Sequence, residues 1–205
     1  MKVAYNEKEL IDNVNFALTH SKRKEFQTEK YMSECDDMLV YYTISDGNVY
    51  LSAAADRYTN KSQDVGSPVC IGSVYPSKYL NNYLDVVNQR MIELIMSTKI
   101  LNGVLNIQFF VDIYKNFYAY DPGFRIQGEA PHVYIRSVFG FDHTRFLIRQ
   151  ALGKASIETL KIPLNQGDLN GNYGKTVWVL GKPGVIGRIT GLTELAEDPN
   201  IVSIL

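Results

Sequence analysis

The stretch Gly103-Val104-Leu105-Asn106-Ile107-Gln108-Phe109-Phe110-Val111-Asp112-Ile113-Tyr114-Lys115-Asn116-Phe117-Tyr118-Ala119-Tyr120-Asp121-Pro122-Gly123-Phe124-Arg125-Ile126-Gln127-Gly128 decides how the rest of the chain is read. Leu105, Ile107, Phe109, Val111 and Ile113 alternate with Asn106, Gln108 and Asp112, the period of two that marks a half-buried strand. Lys115-Asn116, between this run and the aromatic run after it, predicts a tight two-residue turn, since Asn tolerates positive φ. With that turn Tyr114 faces Phe117, Phe110 faces Asp121 and Gln108 faces Gly123. Side chains opposite or diagonal on one face of a strand pair reach each other. Gln108, Asp121 and Arg125 are therefore expected to share a polar surface, with Gly123 leaving space between them.

An amide oxygen, a carboxylate and a guanidinium around a gap suit Mg²⁺ bridging nucleotide phosphates. The hard cation takes oxygen ligands and keeps part of its coordination for phosphate, while Arg forks onto phosphate oxygens. The same residues also read as an ordinary Asp-Pro-Gly turn followed by a solvated arginine, and a motif of this length fits both.

Gly-x-x-x-Ile-Gln, a hairpin, then acid-x-x-x-Arg-x-x-Gly resembles the C-terminal lobe of ATP-grasp enzymes, the carboxylate-amine ligases related to the ATP-binding domains of biotin carboxylase and carbamoyl-phosphate synthase. The resemblance implies Gln108 and Asp121 as ligands of Mg²⁺ (or Mn²⁺) and Arg125 as the catalytic cation on the phosphate side. Two positions depart from the pattern: Asp121 is shorter than the usual Glu, and Gly123 stands where Asn is expected.

Upstream, Phe26-Gln27-Thr28-Glu29-Lys30-Tyr31-Met32-Ser33-Glu34-Cys35-Asp36 reads as a short strand running into an acidic turn. In the resembling family a strand here ends in Glu-x-aromatic-aliphatic, whose backbone pairs with adenine, and an acid four residues on holds the ribose hydroxyls. The resemblance thus implies Glu29, Tyr31, Met32 and Asp36 as adenosine contacts. It also implies Arg57, near the end of a later strand, as a triphosphate contact.

Around these stretches the sequence predicts further elements. Asn6 and Glu9 make a capping-box-like start to a helix over 7–19. Met38–Ile44 and Val49–Ala55 form a hairpin across Ser45-Asp46-Gly47-Asn48. Thr59–Ser73 reads as a loop, and a long amphipathic helix opens at Pro76-Ser77. Pro131–Phe139 alternates as a strand with a structural His132 at its start, and Asp142 caps a helix that Gly153 ends. Leu164–Gly174 reads as a Gly/Asn-rich linker. Thr176–Leu180 and Val185–Thr190 read as two strands, followed by a short helix over 192–197.

The fold class expected is α+β: an ATP-grasp lobe of antiparallel sheet and packed helices over 1–153, then a linker and the beginning of a small β-rich module over 154–205. The function the resemblance implies is the ATP-binding part of a ligase that joins a small carboxylate to an amine or thiol through an acyl phosphate. Because the family's Gly-rich loop would lie upstream of Lys2, the chain alone is expected to be inactive. A non-catalytic nucleotide-binding or regulatory module is the other reading.

The 205 residues are 45% hydrophobic and 21% charged, enough for a sizeable core. A formal net charge of -1 supplies no basic field for DNA or RNA. Cys35 and Cys70 do not make a disulfide framework, and no zinc-ligand spacing occurs. No signal-peptide core or membrane-length apolar run is present, so a cytoplasmic protein is expected. ATP and small substrates are the partners expected, and a homo-oligomer is left open.

Overall fold

Asp46 and Gly47 turn the chain with φ of 50° and 79°, the paired positive values that a two-residue hairpin turn needs, and the strands they join form the centre of the molecule. The computed structural model describes residues 2–60, 69–153, 167–181 and 183–204. The hairpin strands are β1 (Asp36–Ser45) and β2 (Asn48–Asn60). With β3 (Val69–Tyr75), β4 (Gly103–Val111), β5 (Phe117–Gly123) and β6 (Gly174–Val177) they make one antiparallel sheet of order β5-β4-β1-β2-β3-β6.

Every residue of β1 from Met38 to Ser45 is buried, because helices cover the central strands on both faces. Met38, Val40, Tyr42 and Ile44 pack under Leu80, Tyr83 and Ile95 from α2 (Leu80–Tyr83) and α3 (Gln89–Ser97). Leu39 and Tyr41 pack under Ile135 of α4 (Pro131–Phe139) and Phe146 of α5 (His143–Ala151). Each fully buried side chain of this size contributes about 1.5–3 kcal/mol. A π-helical turn, Leu84–Asn88, joins α2 to α3, and the Tyr42 hydroxyl donates to Asn88 Oδ1 there at 2.9 Å.

The expected caps form. Asn6 accepts from Glu9 N at 2.9 Å at the start of α1 (Glu7–His20), and Asp142 accepts from Arg145 N at 3.0 Å at the start of α5. Helix α1 buries none of its residues.

Several expectations are corrected. Pro131–Phe139 is a helix, not a strand: Pro sits in its first turn, where no N–H is needed, and Pro131 and Ile135 fall on one buried stripe four residues apart. Phe26–Met32 forms no strand; it is irregular and its side chains are largely exposed. The expected loop at 59–73 is strand at both ends, with 61–68 outside the described residues. In the expected linker, 164–166 lie outside the described residues, but Leu169 is 1% exposed and joins the core beneath α4. Strand 174–177 extends the central sheet at β3, and 185–190 is not a strand. The short helix α6 forms over Leu192–Glu197.

The β4–β5 hairpin forms with a different turn and register. Asp112 Oδ1 accepts from the backbone N–H of Tyr114 and of Asn116, both at 2.9 Å, so the turn spans 112–116 and Ile113 is 77% exposed. Val111 then faces Phe117 and Phe110 faces Tyr118. A bulge beside Phe109 brings Gln108 opposite Asp121 and Asn106 opposite Gly123. The residues facing Phe110 and Gln108 thus differ from those expected, and Asn106, expected on the polar face, is 1% exposed.

Candidate functional site

Where β1 begins and β2 and β4 end, the sheet face under α4 changes from apolar to charged. Asp37 and Arg57 are paired across β1–β2, and Gln108 and Phe110 of β4 lie beside them in the β1–β4 register. Glu129 comes from the segment leading into α4, just before Ala130, which takes φ 60°. Arg57 is the hub. Its Nε and Nη2 donate to Glu129 at 2.9 Å and 2.6 Å, and its Nη1 donates to Asp37 Oδ2 at 2.6 Å, Gln108 Oε1 at 2.8 Å and the Tyr120 hydroxyl oxygen at 3.0 Å. The Tyr120 hydroxyl donates to Gln108 Oε1 at 2.6 Å while its ring stacks on Phe110, with centroids 4.1 Å apart. Ser73 Oγ donates to Glu129 Oε2 at 3.3 Å.

The side chains of Arg57, Asp37 and Glu129 are only 8%, 12% and 13% exposed. Burial works to lower the guanidinium pKa, but its hydrogen bonds to Glu129 and the charges of Asp37 and Glu129 hold it above the ordinary value. Burial raises the Asp37 carboxyl, against the pull of Arg57. One buried cation thus faces two buried carboxyl groups.

Beside this cluster, toward β3 and β6, opens a cavity of about 330 Å³ whose lining includes Val69, Cys70, Arg125, Gln127, Glu129 and Trp178. Trp178 is placed beside it by the extension of the sheet, its backbone N–H donating to Ile71 O at 2.9 Å. Gln127 is 3% exposed, and its Oε1 is buried with no partner. Burial and the Glu129 charge push the Cys70 thiol pKa up, which keeps it a thiol rather than an activated thiolate. On the opposite sheet face, Asp36 at the head of β1 accepts from the Tyr79 hydroxyl and pairs with Lys78 Nζ at 2.7 Å.

No family model and no curated protein sequence matches the chain. Among solved structures, an L-amino acid ligase from Bacillus licheniformis matches 97% of this chain and 53% of its own length, with a TM-score of 0.69 at 13% identity. A biotin carboxylase from Campylobacter jejuni, solved as a beta-gamma-ATP complex, matches 76% of this chain and 34% of its own, with a TM-score of 0.60 at 21% identity. The biotin carboxylase domain of Hydrogenobacter thermophilus 2-oxoglutarate carboxylase, solved with MgADP, ADP and bicarbonate, matches 82% and 35%, with a TM-score of 0.59 at 21% identity. The fold is that of ATP-grasp enzymes. This chain spans 34–53% of the length of these three proteins.

Within the ATP-grasp fold, the residues singled out from sequence fall into three groups. Gln108, Asp121 and Arg57 are brought to one end of the sheet. Gln108 gives Asp121 its amide N–H, Nε2 to Oδ2 at 3.2 Å, while its oxygen is taken by Arg57 and Tyr120. Arg57 is turned inward, its Nε and Nη2 closed on Glu129. Arg125 is exposed at the cavity rim, its Nη1 donating to Ile126 O at 3.3 Å. Glu29 and Tyr31 are exposed in the irregular segment before β1, and Met32 is half-buried; Asp36 begins the strand itself.

As for a metal, no group of three His, Cys, Asp or Glu that could hold one occurs among the described residues. Asp121 is an exposed carboxylate whose Oδ2 meets only an amide N–H. That suits Mg²⁺ arriving on nucleotide phosphates, which needs one or two carboxylates, rather than a dedicated protein cage.

Asp37, Glu129, Tyr120 and Gln127 were missed from sequence. Glu129 lies 72 residues from Arg57, and only the placement of α4 brings the two together. Tyr120 had a local signal, since it shares the short aromatic run with Asp121.

Proposed function

We propose that this chain is the ATP-binding part of an ATP-dependent ligase that activates a small carboxylate as an acyl phosphate and passes it to an amine or thiol. The carboxylate oxygen attacks the γ-phosphorus of ATP and ADP leaves; the nucleophile then attacks the acyl carbon and inorganic phosphate leaves. The observation that carries this reading is the buried Arg57–Glu129–Asp37 cluster beside an exposed Asp121 and Arg125, at one end of an ATP-grasp sheet. Arg125 would meet phosphate oxygens with a planar fork. Glu29, Tyr31, Met32 and Asp36 would contact adenosine, and Arg57 would act from beneath, fixing Glu129 and Gln108. Mg²⁺, held by Asp121 and the nucleotide, would supply charge neutralisation on the phosphates. Positioning and preorganised charge suffice for this chemistry, without a covalent enzyme nucleophile. In this reading 1–153 is the ATP-grasp part, and 154–205 is a linker and partial β-rich module that lends β6 to the sheet.

One observation favours the second reading, a nucleotide-binding module without turnover: with the Gln108 oxygen engaged and Gly123 lacking a side chain, Asp121 is the one candidate metal ligand on β4–β5 with a free oxygen. Calorimetric titration with ATP, with and without Mg²⁺, tests both. Asp121→Asn is expected to weaken Mg·ATP binding about tenfold, the loss of one charge-assisted contact, with unchanged melting. Asp36→Ala is expected to weaken ATP but not inorganic triphosphate. A chain that binds no ATP overturns both readings; one that binds ATP but releases no phosphate with any carboxylate–amine pair selects the second.

A further inference from the structure

A side-chain amide has an acceptor end and a donor end, and the groups around it decide which way it lies. Gln108 has a guanidinium on one side and a carboxylate on the other. Arg57 Nη1, which only donates, lies 2.8 Å from Gln108 Oε1, and the Tyr120 hydroxyl donates to the same oxygen at 2.6 Å. Asp121 Oδ2 lies 3.2 Å from Gln108 Nε2, and an ionised carboxylate only accepts. Turning the amide over would set its N–H groups against the guanidinium and its oxygen against the carboxylate, so both neighbours resist it. Tyr120 is fixed in turn by its stack on Phe110 and by accepting from Arg57 Nη1 at 3.0 Å. The Gln108 oxygen is thus engaged on the buried side, and the nitrogen lies toward exposed Asp121. One of its two N–H groups goes to Asp121. The other has no partner among the described residues, and Gln108 borders the cavity that Arg125 also lines.

We infer that Gln108 binds nucleotide phosphate directly, giving its free N–H to a phosphate oxygen beside Arg125, and that it lends no oxygen to a metal. This replaces the metal-ligand role that the resemblance implies. The β4–β5 face then holds one divalent cation, on Asp121 and the nucleotide, because the neighbouring positions offer no further oxygen: Asn106 is 1% exposed, with its Nδ2 donating to Gly123 O and Arg125 O, and Gly123 has no side chain. Mg²⁺ keeps several of its waters and needs only one or two carboxylates, so nothing on the metal side offsets the loss of two donors to the Gln108 oxygen. The inference rests on the nucleotide-binding reading and assigns, within it, which group meets phosphate and which meets the cation.

The experiment measures ATP binding by calorimetry, once in EDTA and once with Mg²⁺, and the binding of Mn²⁺ alone from the electron paramagnetic resonance of the free ion. Gln108→Met, checked for folding by its melting curve, removes both ends of the amide at similar size. It is expected to weaken ATP about tenfold in EDTA and by the same factor with Mg²⁺, the loss of one hydrogen bond to a charged oxygen. Its Mn²⁺ binding is expected to match the parent's. Gln108→Glu keeps an acceptor for Arg57 and Tyr120 but sets an oxygen beside Asp121. It is expected to weaken ATP in EDTA and to bind Mn²⁺ at least about tenfold more tightly. Because this variant has no side-chain amide at 108, it also assigns the Gln108 signals in the spectrum of the ¹⁵N-labelled parent. Those signals are expected to shift when ATP is added in EDTA, a readout that stands even where Gln108→Met does not fold.

A Gln108→Met chain that loses Mn²⁺ or Mg·ATP affinity while metal-free ATP is unchanged would make Gln108 a metal ligand and overturn the inference. Gln108 amide signals that stay in place with metal-free ATP would overturn it too. So would Mn²⁺ bound no more tightly by Gln108→Glu than by the parent, since the parent would then lack nothing that an oxygen at 108 supplies. The two failures are distinct. A parent that binds no ATP under either condition removes the nucleotide reading itself, whereas a parent that binds ATP and shows any of these three results removes the inference alone.

Discussion

Two buried polar clusters sit on the same face of the same sheet and solve the cost of burial in opposite ways. Around Arg57 the groups are charged and matched by ion pairs at 2.6 Å. Further along β1, around His143, they are neutral: His143 Nε2 meets Thr43 Oγ1 at 2.7 Å, Thr43 Oγ1 meets Ser52 Oγ at 2.7 Å, and the Tyr41 and Phe141 rings stand edge-on to the imidazole. His143 Nδ1, the Tyr41 hydroxyl and Ser45 Oγ have no partner there. The difference teaches that charge is confined to the end bordering the cavities, where it can meet a ligand, while the interior accepts unsatisfied neutral groups in preference to charged ones.

The largest expected effect comes from breaking the charged cluster. Arg57→Met leaves Asp37 and Glu129 buried without their cation, which should cost about 3–5 kcal/mol in urea unfolding. Adding Asp37→Asn and Glu129→Gln should restore most of it, because the penalty belongs to the uncompensated charges and not to lost packing. An Arg57→Met protein as stable as the parent would show that the cluster is solvated enough to be dispensable.

The neutral cluster should reveal itself through pH. Burial, helped by His132 and opposed by Asp142, lowers the His143 pKa to about 3, whereas an unfolded histidine titrates near 6.5. Below about pH 6.5 the unfolded chain takes up a proton that the folded chain refuses. Stability contributed by neutral His143 is therefore full above 6.5 and is lost as pH falls toward 3. By pH 4 the loss should reach about 3 kcal/mol. Replacing His143 by Leu should flatten that part of the stability–pH curve, and an unchanged slope would assign the acid sensitivity to other groups.

How far each region could be read from sequence follows from the range of its contacts. The β1–β2 hairpin was legible because Asp46-Gly47 fixes the turn locally, and α1 and α5 because Asn6 and Asp142 are local caps. Helix α4 was not, since Val133, Tyr134, Ile135 and Val138 have strand-like composition, and Pro131 at its start was the overlooked helix signal. The β4–β5 register depended on Asp112 closing a longer turn and on a bulge, neither of which alternation reports. In the candidate site Gln108, Asp121 and Arg57 were singled out, but their orientation was not, because Glu129 and Asp37 reach Arg57 only through tertiary packing. The neutral cluster left no sequence trace: Thr43 and His143 are 100 residues apart.

The smallest expected effect tests a departure from the resembling pattern at one atom pair. A Cβ at Gly123 would lie 2.8 Å from Asn106 Oδ1, and Asn106 has nowhere to retreat: it is 1% exposed, and its Nδ2 donates to Gly123 O at 2.8 Å and Arg125 O at 3.1 Å. Asn106 thus occupies the space a side chain at 123 would need, and it ties down the backbone that carries Arg125 to the cavity rim. Gly123→Ala should cost about 1–3 kcal/mol, the usual penalty of overpacking, and Gly123→Asn at least as much. In a double-mutant cycle with Asn106→Ala the two losses should fall short of additivity, since removing Asn106 also removes the clash. Strict additivity would mean that Gly123 and Asn106 act separately, and that room for Arg125, rather than for Asn106, explains the glycine.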